Sequence, residues 1–306
     1  MVVKEMNVGL SILVMLCVGI IYGMVLGFLI AYMNIPPWIA TLAGYLAFRG
    51  WATALLSANS STGSIAPFPD SFLKIFSGKL FETPLNELNI PCFAAGVIAS
   101  VIVIVSIIMT RKNRVKKGYE VGSVASMAVK IVILTAVIML FAYKLALSGG
   151  IPTALVWVVV VVLIYQFITS KTTIGRYFYT IGGNREATRL SGINTKRIMF
   201  MAYLNMAVLT SITALIVVAR TRAANAMAGT NFEMDAISAC VVGGVSAYGG
   251  SGSVFGMVVG ATLIGVINLG MSLMGVDANW QKVIKGIVLL AAVVFEILNN
   301  KDKTKD

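Results

Sequence analysis

Apolar residues run along this chain in long unbroken blocks, without the period-2 alternation of half-buried strands or the polar stripe of surface helices. A helix that crosses the hydrocarbon core of a bilayer needs roughly 20 mainly apolar residues. Seven blocks read as such helices: Val8–Tyr32, Pro91–Thr110, Ser123–Leu147, Pro152–Ile168, Ile198–Ala219, Val254–Met274 and Ile284–Leu298. Two weaker blocks join them. Ile35–Leu56 carries Arg49, and Ala236–Tyr248 is short and runs into Gly249, Gly250 and Gly252. The pattern predicts an all-α polytopic membrane protein with about 8–9 transmembrane or re-entrant helices, in one transmembrane domain over residues 1–306. The first block is too long for a signal-peptide core and no small-x-small cleavage site follows it, so it is read as a retained helix.

Composition supports the bilayer as solvent. Hydrophobic residues make up 58% of the 306 and charged residues 12%, with a mean hydropathy of +0.90, too little charge to cover a water-facing surface. The absence of histidine removes His-dependent triads, His-ligated zinc and haem on a proximal His. Cys17, Cys92 and Cys240 are far apart in apolar runs and show neither CxxC spacing nor a disulfide framework. Trp38, Trp51, Trp157 and Trp280 lie near block ends, where aromatic residues anchor to the membrane interface.

The net charge of +12 is then a matter of sidedness, not of nucleic acid, because Lys and Arg accumulate in cytoplasmic loops. Linker 111–117 (RKNRVKK), linker 169–197 and the tail with Lys301, Lys303 and Lys305 are accordingly expected inside. Loop 57–90 balances Lys74 and Lys79 with Asp70, Glu82 and Glu87, and contains Pro67, Pro69 and Pro84. It is expected outside, as an ordered loop. Parity along the chain places 220–235 and 275–282 outside, 249–253 inside and Met1 outside.

Ionisable residues inside a membrane are functional candidates. Arg49 and Lys130 lie nearest the interior of apolar blocks, although each is long enough to snorkel to an interface. Glu233 and Asp235 stand at a helix start, where carboxylates favour the dipole and can cap free N–H groups. Glu296 lies close to the cytoplasmic end of the last block. This is a poor set for a proton relay. The run Val241–Gly252 (VVGGVSAYGGSG) permits close helix approach or ends a half-helix inside the protein. It lacks the G-x-x-x-x-G-K-[ST] of a phosphate cradle, so the chain does not hydrolyse ATP by itself. In linker 169–197, Gly182, Gly183 and Asn184 introduce a short helix with Ala187, Leu190 and Ile193 on one side, and Gly192 closes it. Such a helix suits docking into a partner's groove; a plain positively charged connector is the other reading of the same residues.

The segment GRYFYTIGGNREATRLSGIN at 175–194 resembles the coupling loop of sugar-type ATP-binding-cassette importer permeases. The family's E-A-A-x-x-x-G pattern falls on Glu186, Ala187, Thr188 and Gly192, with Thr for the second Ala. The resemblance continues in IPPWIATLAGYLAFRG at 35–50, AGTNFEMDAISACVVGGVSAYGGSG at 228–252 and INLGMSLMGVDANWQKVIKG at 267–286. Within the ribose/xylose/galactose permeases, the RKNRVKKGYEV linker and the PFPDSF loop look most like xylose or multiple-monosaccharide permeases. Members of that family carry one or two further N-terminal helices with a G-G-I-D-L-S-V-G motif, so the chain is expected to lack them.

The resemblance implies a permease subunit of the bacterial inner membrane that forms the pathway for a monosaccharide. It implies no enzyme activity and no cofactor on this chain, ATP and Mg being held by a partner. The implied partners are cytoplasmic ATPase subunits, a second permease copy as a homodimer, an extracytoplasmic sugar-binding protein and membrane lipid. Gly183, Asn184, Arg185, Glu186, Ala187, Arg189, Leu190 and Gly192 are the implied ATPase contacts. Gly243, Gly244, Ser246, Asn268 and Ser272 are candidates for the translocation pathway. Two other readings stay open from the residues: an ion-gradient-driven carrier with Glu233 or Asp235 as coupling acid, and a truncated scaffold that recruits the ATPase without transporting.

Overall fold

The computed structural model describes residues 1–82, 89–119 and 123–303. Pro84, Glu87 and Lys305 lie outside the described residues, as do Glu120 and Val121 of the charged linker. The chain is almost entirely helical: α1 (Val8–Ala31), α2 (Pro37–Asn59), α3 (Asp70–Ser77), α4 (Ile90–Lys116), α5 (Val124–Leu147), α6 (Thr153–Lys171), α7 (Thr173–Gly183), α8 (Arg185–Leu190), α9 (Thr195–Thr221), α10 (Phe232–Val242), α11 (Val254–Leu273) and α12 (Ala278–Lys303). Among the described residues seven helices are long and apolar enough to cross a membrane: α1, α2, α4, α5, α6, α9 and α11. The weak block with Arg49 is therefore a full span. The expected Ile284–Leu298 span falls inside α12, which is not among these seven, and the short Ala236–Tyr248 block becomes the 11-residue α10. At 1.5 Å per residue α10 is about 16 Å long, half the hydrocarbon thickness.

Contacts gather in two compact units, Met1–Phe72 with Val158–Asp306, and Leu73–Trp157. In the first, α1 and α9 run antiparallel along a stripe of small residues. Gly19, Gly23 and Gly27 of α1 face Ser211, Ala207 and Phe200 of α9, and a methyl added at Gly27 would lie 3.1 Å from the Phe200 carbonyl oxygen. In a lipid solvent, where apolar contact gives helices no advantage over acyl chains, such backbone approach and its dispersion contacts drive association. The same device joins α10 to α11: Gly256 and Gly260 meet the backbone of Gly243 and Ala239. β1 (Ser64–Ile65) pairs antiparallel with β4 (Ala224–Asn225), which puts the α2–α3 and α9–α10 connections at one end of this unit.

In the second unit α4 packs on α5 through Gly96, which faces Ala142. β2 (Lys79–Leu80) pairs with β3 (Ile151–Pro152). The Trp157 Nε1–H donates to the Ile75 carbonyl at 3.2 Å and its ring stacks on Phe76 at 5.6 Å. Loop 57–90 thus contains the helix α3, where only an ordered loop was expected.

Very few side chains are fully buried, and large apolar ones such as Leu13, Ile102 and Phe295 are more than half exposed. That surface is what a bilayer solvates.

Candidate functional site

The linker between α6 and α9 folds as two helices. Thr172 caps α7 by accepting from the Gly175 N–H at 3.2 Å. Gly182 and Gly183, expected to precede the short helix, belong to the end of α7. Asn184 then both ends α7 and starts α8, its Oδ1 accepting from the Ala187 N–H at 2.9 Å. The chain leaves α8 through Gly192 at φ +83°. The Gly192 N–H donates to the Arg189 carbonyl at 3.0 Å and the Ile193 N–H to the Thr188 carbonyl at 3.4 Å, the paired bonds of a Schellman motif.

The apolar side expected at Ala187, Leu190 and Ile193 does not turn inward. Thr188 is the buried residue of α8, satisfied by donating its hydroxyl to the Asn184 carbonyl at 2.8 Å. Leu190 is 77% exposed. A threonine that satisfies its own hydroxyl locally can be buried, and the helix is then rolled so that its leucine faces out. Arg189 and Glu186 form an exposed i,i+3 pair at 2.5 Å, worth little to stability. The hydrogen bond and charge of the Glu186 carboxylate hold the Arg189 guanidinium above its ordinary value. Leu190 thus stands exposed beside Arg185, Glu186 and Arg189.

At the base of α8, α7 meets the glycine-rich turn after α10. A methyl placed on Gly182 would lie 2.6 Å from the Gly250 amide nitrogen, and one on Gly249 would lie 2.8 Å from the Gly182 carbonyl oxygen. The two main chains touch with no side chain between them. Tyr179 donates its hydroxyl to the Gly252 carbonyl at 3.1 Å. The turn is shaped by Gly244, Gly249 and Gly250 at φ +81°, +91° and +80°, and the Ser246 N–H closes it on the Ser251 carbonyl at 3.1 Å. Glu296 of α12 accepts from the Ala247 N–H at 3.3 Å. Of the residues assigned to a pathway, Gly243 and Gly244 end the half-helix against α11, and Ser246 belongs to this turn.

The opposite end of α10 holds a polar cluster. Glu233 and Asp235 stand in the first turn of α10 as expected, where carboxylates favour the dipole, but neither caps it: Asn231 precedes the helix without a side-chain cap, and Glu233 is exposed. Asp235 turns sideways. Its Oδ1 lies 2.9 Å from Lys285 Nζ of α12, its Oδ2 accepts from Lys285 at 3.0 Å, and Asn268 Nδ2 of α11 reaches the same oxygen at 3.4 Å. Asn268 and Asp235 are thus brought together, whereas Ser272 bonds back to the Asn268 carbonyl at 2.9 Å on its own helix. Lys285 was not singled out in the sequence as a partner of Asp235, although a cation at the edge of an apolar run was the available signal.

Arg49 is satisfied within its own unit, donating to Tyr45 at 2.9 Å, to the Ala226 carbonyl at 3.2 Å and to Thr230 at 2.5 Å. Among the described residues no group of three or more Cys, Asp and Glu could hold a metal.

Residues 1–293 match the family described as branched-chain amino acid transport system / permease component. The xylose transport system permease protein of Haemophilus influenzae is 35% identical over 295 residues, covering 95% of this chain and 75% of the relative. Its Escherichia coli counterpart is 34% identical over 294 residues, 93% of this chain and 70% of the relative. The ribose import permease protein of Escherichia coli is 42% identical over 148 residues, 48% of this chain and 46% of the relative. No solved structure matches. With a scaffold of spanning helices and a family match over residues 1–293, this protein belongs to the transport-system permease components, multi-pass membrane subunits that carry the passage and leave ATP hydrolysis to a partner.

Proposed function

We propose that the chain is the permease of a monosaccharide importer, with α8 as the helix that a cytoplasmic ATPase subunit grips. The supporting observation is the backbone contact of Gly182 with Gly249 and Gly250. It joins the base of the docking helix to the end of the half-helix α10 without a flexible side chain between them. A displacement of α8 by an ATP-driven partner would pass through α7 and the 243–252 turn into α10, whose other end is pinned to α11 and α12 by Asp235. Two copies of the chain would flank the path, with an extracytoplasmic sugar-binding protein on the side of the β1–β4 pair and ATP and Mg on the ATPases. The xylose and ribose permeases among the relatives point to a pentose as the first solute to assay. Asp235 already has a cation beside it, which favours an ATP-driven permease over a carrier that uses it as a coupling acid.

The sidedness is checked by cysteine labelling in a background without the three native cysteines. A membrane-impermeant reagent on intact cells is expected to modify Ala66→Cys and to spare Lys116→Cys; the reverse result would overturn the orientation.

Coupling is tested by ATPase pull-down and monosaccharide uptake in the assembled complex. Gly192 sits at positive φ in open space, with nothing within 4 Å of an added methyl. Gly192→Val therefore acts through the backbone alone, costing about 1 kcal/mol or more because β-branching is poorest at positive φ. ATPase binding is expected to weaken roughly fivefold or more, with membrane insertion unchanged. Glu186→Ala removes one exposed pair and should change binding by about twofold. Wild-type binding and uptake in both variants would return the segment to a plain charged connector.

A further inference from the structure

A cavity of about 430 Å³ opens between the end of α4 and the start of α5, within the unit Leu73–Trp157. Arg111, Arg114 and Lys130 line it together with the hydroxyls of Ser106, Thr110 and Ser126. No carboxylate lines it among the described residues, and neither Arg114 nor Lys130 has an ion-pair partner there. Among the described residues Arg111 bonds the Ser123 carbonyl at 3.3 Å and contacts the Met127 sulfur. The cavity is also at the N-terminus of the 24-residue α5, where the helix dipole favours an anion. A second opening shares Thr110 and Arg114 and adds Lys117.

Snorkelling explains one cation near a helix end. It does not explain three converging on one hydroxyl-lined recess. Lys130 lies more than one turn into α5, and Val129, Val132 and Ile133 beside it are each more than half exposed. The recess therefore opens beside apolar surface of the kind that acyl chains cover. Three cations with no carboxylate among the described lining residues, and an adjoining apolar wall, together fit one ligand chemistry.

We propose that Arg111, Arg114 and Lys130, between α4 and α5, bind the phosphodiester headgroup of an anionic phospholipid. The inference concerns this recess alone and does not depend on which solute is carried. Basic residues at a membrane surface attract an anionic lipid with roughly a fivefold gain each.

The test uses the full chain purified in detergent, titrated with dioleoyl phosphatidylglycerol and read by native mass spectrometry. Arg111→Gln with Lys130→Gln is compared with Lys112→Gln with Lys116→Gln, which removes the same charge from residues that do not line the cavity. The first pair should retain the lipid roughly 25-fold less well than wild type, the second within about threefold. Dioleoyl phosphatidylcholine should bind weakly to all three proteins. Inorganic phosphate should displace phosphatidylglycerol only at high concentration. Equal losses in the two pairs, or equal retention of phosphatidylcholine, would overturn the site. Inorganic phosphate that competes as tightly as the lipid would reassign it to a free anion. If the first pair fails to insert, Lys130→Gln alone, on an exposed side chain, gives the same comparison with a smaller drop.

Discussion

Gly182→Val is expected to abolish most transport while leaving the membrane spans and α8 in place. An added Cβ at Gly182 meets the Gly250 amide at 2.6 Å and Gly249 at 3.4 Å. These are backbone atoms, so no rotamer change relieves the clash. Valine adds two further carbons and must push α7 away from the turn. Overpacking of this kind costs about 1–3 kcal/mol, which on the closed contact is roughly a five- to hundredfold loss of population. Gly183 supplies the control. Its added Cβ would stand 3.9 Å from Gly250 Cα, an ordinary contact, and alanine favours helix over glycine. Gly183→Ala should therefore transport normally. Both variants should still capture the ATPase, because α8 keeps the Asn184 cap and the Gly192 exit. Normal monosaccharide uptake by Gly182→Val, with the protein correctly inserted, would remove this contact from the coupling path.

The second large effect is on stability. Lys285→Ala leaves the Asp235 carboxylate among three helices without its cation. Losing one member of a buried pair costs about 3–5 kcal/mol. The side chains of Lys285 and Asp235 are 24% and 28% exposed, so solvent screening lowers the expectation to about 2 kcal/mol. Asn268 cannot compensate, since its amide reaches Asp235 only at 3.4 Å. Thermal unfolding in detergent should show Lys285→Ala clearly destabilised. The double variant Lys285→Ala with Asp235→Asn should recover most of the loss, because a neutral amide needs no counterion. Asp235→Asn alone should be mild, as the freed ammonium can turn to solvent, and ATP-driven uptake should largely survive it. A double variant no more stable than Lys285→Ala would show that Lys285 acts by packing rather than by charge.

The outward-facing Leu190 carries a different lesson. The helical spacing of Ala187, Leu190 and Ile193 marks one apolar side on the sequence, and an apolar side in water normally faces the core. Here the core takes Thr188 instead. Spacing reports that a side is apolar; it does not report whether this chain or another covers it. The Gly19, Gly23 and Gly27 stripe was also open to reading from its four-residue spacing, yet it stood unnoticed within a block whose length alone signalled a span.

What the sequence determined by itself was the solvent, the class and the placement of most helices. Those follow from the length of apolar runs and the scarcity of charge, which are properties of neighbours along the chain, and the short helix of the 169–197 linker was legible as a local pattern of residues. Only the tertiary structure decided that Gly182 touches Gly250, that Asp235 answers Lys285 in preference to its own helix N-terminus, and that Lys130 joins Arg111 and Arg114 around one cavity. Glycine-to-glycine contact leaves no chemical signature in either segment, because what matters is the side chain that is missing from both. An ion in an apolar run is visible in sequence as an energetic debt, but its partner is set by how helices distant in the chain pack. That packing depends on the small residues where their backbones meet.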